Sequence, residues 1–339
     1  MKTTDTKRTL PPKQGEELLA AYYKPSTDSY NFVAMKTPTP NARNSGPRVG
    51  PIVISEILYN PAGAGDAEYL ELLNVSAAPV TLYDAVKGKA WRISDGIDFD
   101  FPAASPLTMA PGERVVITKN LTLFNSSFGA LVPGGTKVFE WGAGGLSNGG
   151  ESLQLDRPGA ADALNVIQYV RQDRVNFDDT APWPTTPDGS GPSLTKISER
   201  DYGNDYINWM AAGASPGGIT PGNRFASWAT TNGVSSANGD EDGDGISNLI
   251  EYALGTNPAV PSSGSALGLT LAPGQEGVSY NVNTLLPDLD YVLEVSSDLQ
   301  LWAQVDAYPV TMSGGVQLRT HPLPYSPSKF FRLRVTAKP

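Results

Sequence analysis

The chain has no cysteine among its 339 residues. That excludes disulfides, thiolate catalysis and Cys-ligated zinc. It has one histidine, His321, expected in the Pro-rich turn "THPLPYSP", and a Ser-His-Asp arrangement would have to be built on that single imidazole. A His-Glu-x-x-His pair and a phosphate loop are both missing. No apolar run approaches the ~20 residues a membrane helix needs. Basic residues are scarce relative to acidic ones, 25 against 35, for a net charge of −10. A nucleic-acid or anionic-membrane surface needs clustered Lys and Arg, so neither is expected, whereas cations are favoured partners. The N-terminus, "MKTTDTKRTLPPKQGEELLAAYY", lacks the apolar stretch of a signal peptide. The expectation is a protein not exported by the usual route, or a downstream piece of a longer chain.

Gly and Pro are abundant, 35 and 29, as suits short strands joined by many turns. From Pro51 to about Ser198 the runs "IVISEILYNP", "EYLELLNVS", "AWRISDG", "ERVVITKN", "KVFEWG", "ESLQLDRP" and "NVIQYVRQ" follow at turn-bounded spacing, with a last strand expected at Leu194–Ile197. This is the cadence of an antiparallel sandwich. A second β pattern begins near Ser263 with "LGLTLAP", "VSYNVNT", "DYVLEVSSD", "WAQV", "GVQLRTH" and "FFRLRVT". The expected class is all-β. The divisions are an extended N-terminal segment over 1–49 with one short helix at "GEELLAAYY", a large sandwich over 50–223, a helical linker over 224–262 and a small sandwich over 263–339. An internal echo, "YNFVAMKTPTPNARN" (30–44) against "INWMAAGASPGGITPGN" (207–223), suggests that the first segment is the tail of a preceding copy of the large domain.

The linker holds the densest chemistry. "DEDGDGISNLIE" spans Asp240 to Glu251. Calcium takes six to eight oxygens in a flexible shell, and a twelve-residue loop supplies them from positions 1, 3, 5, 7, 9 and 12, with Gly at 6 for the turn. Here those positions are Asp240, Asp242, Asp244, Ile246 (through its carbonyl), Asn248 and Glu251, with Gly245 at the sixth. An acidic turn before a helix would explain Asp and Gly, but not Glu at the twelfth place. Ile246, Leu249, Ile250, Ala253 and Leu254 then fall on one face of a short helix that Gly255 stops. "TNGVSSANG" ahead of Asp240 does not favour a helix, and only one loop is present, so a paired regulatory EF-hand is not expected. The loop resembles the single calcium loops of dockerins and thrombospondin-type repeats. That resemblance implies a metal that orders a linker.

"IVISEILYNPAGAGDAEYLELLNVS" resembles the opening of a bacterial lamin-tail domain, through Glu56, Asn60, Pro61, Asp66, Glu68, Tyr69, Glu71 and Asn74. "LTMAPGERVVI", "GGLSNGGESLQLDRPG" and the closing "SLTKIS…YGNDYINW…TPGN" extend the resemblance over about 50–223. The resemblance implies an immunoglobulin-like β-sandwich that serves interaction or anchoring and has no agreed catalytic residues. The order of modules is similar to the C-terminal region of large secreted bacterial proteins. Glu56, Asp66 and Glu71 could be a carboxylate cluster for acid–base chemistry or a second metal; satisfying backbone at turns and strand ends is the stronger reading. The six tryptophans could make a sugar platform, but core packing is their ordinary use. The expectation is a non-catalytic extracellular or cell-surface protein that adheres to a protein or glycan, with calcium stiffening the join between modules. The alternative is a carbohydrate-binding appendage of a secreted hydrolase or spore-coat-kinase-type enzyme.

Overall fold

Strand Ile52–Leu58 is buried along its whole length, and its neighbours explain why. One face carries Ile52, Ile54 and Ile57 into the main core, with Leu70, Leu72, Ile117, Leu153, Leu155 and Trp209. The other face carries Leu58 into a smaller cluster with Tyr69, Val116 and Phe124. A bulge between Ile54 and Glu56 breaks the two-residue alternation, so Ile54 and Ile57 enter the same core although three apart.

The computed structural model describes residues 19–24, 29–39, 45–141, 144–218, 224–262, 269–271, 277–284, 286, 288–305, 307–313, 316–322 and 330–337. The central strand sits in a six-stranded sheet ordered Lys137–Glu140, Arg114–Thr118, Tyr69–Asn74, Ile52–Leu58, Pro192–Lys196 and Trp209–Gly213. All its pairings are antiparallel except Arg114–Thr118 with Lys137–Glu140. A four-stranded sheet of Ile167–Phe177, Glu151–Ala161, Arg92–Ser94 and Phe99–Asp100 contributes Leu153, Leu155, Val175 and Ile93 to the same core. This is the expected all-β, immunoglobulin-like sandwich. Helix α1 (Leu121–Phe128) places Phe124 against Tyr69 and Val116. It is capped by Asn120, whose side chain accepts from Leu123 N at 3.0 Å.

The second sandwich has a four-stranded sheet, Thr270–Leu271, Gly277–Asn283, Val316–Pro322 and Tyr308–Ser313, and a three-stranded one, Ala303–Gln304, Leu289–Ser296 and Phe330–Ala337. Its core of Val278, Tyr280, Val282 and Leu293 also takes in Ile197 and Met210 from the first sandwich. The two modules therefore share buried apolar surface. Gln317 Nε2 donates to Ile207 O at 2.6 Å across the same boundary.

Between them run α2 (Arg224–Asn232) and α3 (Asn248–Leu254). Phe225 and Ala229 of α2 and Leu249, Tyr252 and Ala253 of α3 form one cluster with Leu289 and Val335 of the second sandwich. Gly255, in the left-handed conformation at φ 72°, ends α3 by donating to Glu251 O and Tyr252 O. The linker is thus a helix pair seated on the second sandwich rather than a bare connector.

Two local expectations fail. The helix expected at "GEELLAAYY" is not formed where described: Leu19–Lys24 is a strand paired with Ser29–Ala34, and residues 15–18 lie outside the described set. The β-branched and aromatic residues "SYNFV" opposite it supply a strand partner, and pairing overrides local helix propensity. His321 lies in a strand opposite Val278 rather than in a turn. The first echoing run starts one residue into strand Ser29–Ala34 and the second contains strand Trp209–Gly213, each the second strand of an antiparallel pair; their closing residues 40–44 and 219–223 lie outside the described set.

Candidate metal centre

The loop between α2 and α3 folds on its own aspartates. Asp240 Oδ1 and Oδ2 accept from the amides of Gly243 and Gly245, both at 2.9 Å. Asp242 Oδ1 accepts from Asp244 N at 3.1 Å, and Asp244 Oδ1 from Ile246 N at 2.7 Å. Gly243 and Gly245 have φ of 75° and 88°, which explains glycine at the turn positions. The result brings one carboxylate oxygen from each of Asp240, Asp242 and Asp244 within 4.8 Å of one another.

Glu251, on the first turn of α3, is fully buried. Burial pushes its carboxyl up, and so do the charges of Asp242, Asp244 and Asp240. Three oxygens of the twelve-position set are buried without a hydrogen-bond partner: Asp242 Oδ2, Asn248 Oδ1 and Glu251 Oε2. Unpartnered buried acceptors beside three carboxylates are costly unless a cation meets them. Asn248 is held by its other end, with Nδ2 donating to Ser236 O at 2.7 Å. Ile246 is half-buried just before α3. The donor set is entirely hard oxygen, which suits Ca²⁺ or Mg²⁺ rather than a soft metal. Glu241, at position 2, turns away to accept from Ser235 N and Oγ.

Two outer partners carried no signal in the sequence. Asp244 Oδ2 accepts from Ser262 N and Oγ, both at 2.7 Å, tying the loop to the chain that enters the second sandwich. Tyr252, next to Glu251, donates to both oxygens of Asp288 at 2.9 and 3.1 Å. Both contacts join segments too far apart for spacing rules to pair.

The large sandwich presents no second site of this kind through its signature carboxylates. Glu56 Oε1 accepts from Tyr69 Oη at 2.7 Å, Ser193 Oγ at 2.5 Å and Ser215 N at 2.9 Å. Glu71 accepts from Ser55 Oγ at 2.6 Å, Gly217 N at 2.9 Å and Arg114. Burial, then the neighbouring Glu71 charge, pushes the Glu56 carboxyl up to about 7. Glu68 accepts from Leu146 N at 2.6 Å, Asp66 pairs with Lys119 at 2.9 Å, and Asn60 bonds Asp188. Asn74 Nδ2 donates to Ala78 O and Met109 O. These groups satisfy backbone and neighbours, as polar groups in a packed sandwich must.

Two Gly-x-Ser-x-Gly runs, 145–149 and 213–217, escape the sequence reasoning above. Ser215 Oγ donates to Glu56 Oε2 at 3.0 Å, and His321 lies opposite Val278 in the second sandwich. Trp91, Trp141 and Trp209 are buried in the main core and Trp183 packs on it. Trp228 packs at a tilt against Phe225 and Tyr252, and Trp302 lies under the Arg332 guanidinium at 4.2 Å. Among the described residues, no helix is long and apolar enough to cross a membrane.

No curated protein and no solved structure matches the chain. A family model does match, that of the Lamin Tail Domain, over residues 46–171. The matched range ends before strands Pro192–Lys196 and Trp209–Gly213, which complete the six-stranded sheet. With the sandwich and the signature residues in the places just described, the segment over residues 46–171 is a lamin-tail domain.

Proposed function

We propose that the chain is a non-catalytic, multi-module protein of the bacterial cell exterior. In this reading the lamin-tail sandwich adheres to an extracellular protein or glycan, and the loop Asp240–Glu251 holds one Ca²⁺ through Asp240, Asp242, Asp244, the Ile246 carbonyl, Asn248 and Glu251. The carrying observation is the set of three buried, unpartnered oxygens on Asp242, Asn248 and Glu251 beside three clustered aspartates. A divalent cation offsets the repulsion of four carboxylates and gives those oxygens a partner. Because Glu251 sits on α3 and Asp244 binds Ser262, the ion would fasten the helix pair and the following chain into one unit on the second sandwich. Calcium acts here as a structural clasp, without a chemical step.

Titration calorimetry tests this reading. A saturable heat with Ca²⁺, lost in Asp240→Ala and Glu251→Ala, supports it. No heat at millimolar Ca²⁺ overturns it.

A further inference from the structure

We propose that the crevice where the N-terminal segment, the lamin-tail sandwich and the second sandwich meet binds an acidic saccharide, a sugar ring bearing a carboxylate or sulfate. The crevice holds about 400 Å³ and is walled by all three parts: Lys36 from the first, Ile197, Ser198 and Tyr202 from the second, and Leu289–Val292 from the third. Ligand sites favour such junctions, and this volume lies within their usual range of roughly 300–1,000 Å³. It exceeds what one tetrahedral anion fills.

Its charge runs against that of the chain. Acidic residues outnumber basic ones 35 to 25 overall, yet Lys36, Arg48, Arg200, Arg319 and Arg334 line the crevice against Asp201 and Asp290. A cleft lined by one sign of charge between low-dielectric walls concentrates the field, so an anion is the favoured guest. Two of these cations are already fixed as wall. Arg319 is held by Asp201, and Arg334 Nε donates to Glu294 at 3.2 Å. Arg200 is exposed and makes no ion pair or side-chain hydrogen bond among the described residues. A planar guanidinium of this kind grips a carboxylate or sulfate by two parallel hydrogen bonds.

The neutral lining selects within the anions. Tyr202, Gln304 and Thr336 line the crevice with hydroxyl and amide groups around the cationic ones. Those groups match a polyhydroxylated ring, whereas inorganic phosphate or sulfate would leave most of them unused. Val282 and Val305 supply apolar backing for the ring's C–H face. The site exists only when the second sandwich is docked, because Arg319 and its strand form one side.

The test is a chemical-shift titration of the full chain, at fixed calcium, with sodium D-glucuronate, D-glucose and sodium sulfate. Glucuronate should saturate, with the largest shifts at Arg200, Tyr202 and Asn208, and more tightly than either control. Arg200→Ala, at an exposed position, should weaken it about tenfold, the loss of one charge-assisted pair. Arg92→Ala, in the four-stranded sheet, should leave it unchanged. The proposal is overturned if glucuronate does not saturate, if glucose binds as well, if sulfate alone binds as tightly, or if Arg200→Ala has no effect.

Discussion

Arg319 of the second sandwich holds Asp201 of the lamin-tail sandwich with both guanidinium nitrogens, at 2.7 and 2.5 Å. The side chains are only 8 % and 12 % exposed. A pair this buried is costly to break from one side, because the remaining charge stays in the interface. Arg319→Ala should therefore cost about 3–5 kcal/mol. Chemical denaturation should then resolve two transitions where the parent shows coupled unfolding. The double replacement Asp201→Leu with Arg319→Met should recover most of the loss, since apolar groups of similar volume leave no charge stranded.

Calcium should raise thermal stability by mass action, by about 2.7 kcal/mol when its concentration is a hundredfold above the dissociation constant. Asp240→Ala and Glu251→Ala should abolish that gain. Scanning calorimetry with Ca²⁺ and with a chelator measures both.

Glu56 should make the lamin-tail sandwich less stable as pH rises. Its folded carboxyl is pushed from 4.5 to about 7 by burial and by Glu71. The folded state then keeps a proton that the unfolded chain gives up above pH 4.5. The resulting stability is fully present below that value and is lost as pH climbs through about 7, with a total of about 3 kcal/mol. Glu56→Gln should flatten the slope of unfolding free energy between pH 5 and 8. An unchanged slope would assign the pH dependence to other groups.

Tyr252→Phe removes the donor that satisfies both oxygens of Asp288, which is itself buried. The stranded acceptor should cost about 1–3 kcal/mol. Amide exchange should accelerate first in α3, where the tyrosine anchors the helix to the second sandwich.

Much of this architecture was legible because it repeats locally. The strand runs, Gly255 as helix stop and the face shared by Leu249 and Ala253 follow from period and turn chemistry, and the structure contains them. The carboxylates at 240, 242 and 244 converge as their alternate spacing implies. What stayed hidden depends on long-range partners. Strand Trp209–Gly213 looks like a small-residue tail until Pro192–Lys196 pairs with it. The bulge at Ser55 leaves the hydrophobic run "IVISEIL" unaltered in appearance, yet it re-aims Ile57. Ile197 reads as the end of one sandwich and packs in the core of the other.

The contacts of Ser215 and Gly217 have a mechanical consequence. Tension entering the lamin-tail sandwich from its C-terminal side has two routes. One runs along the chain, where Glu56 and Glu71 grip the two amides just past the last strand. The other runs sideways through Arg319 and Asp201. A pull must strip the carboxylate grips before it can peel Trp209–Gly213 from its neighbour, so the sheet is loaded last.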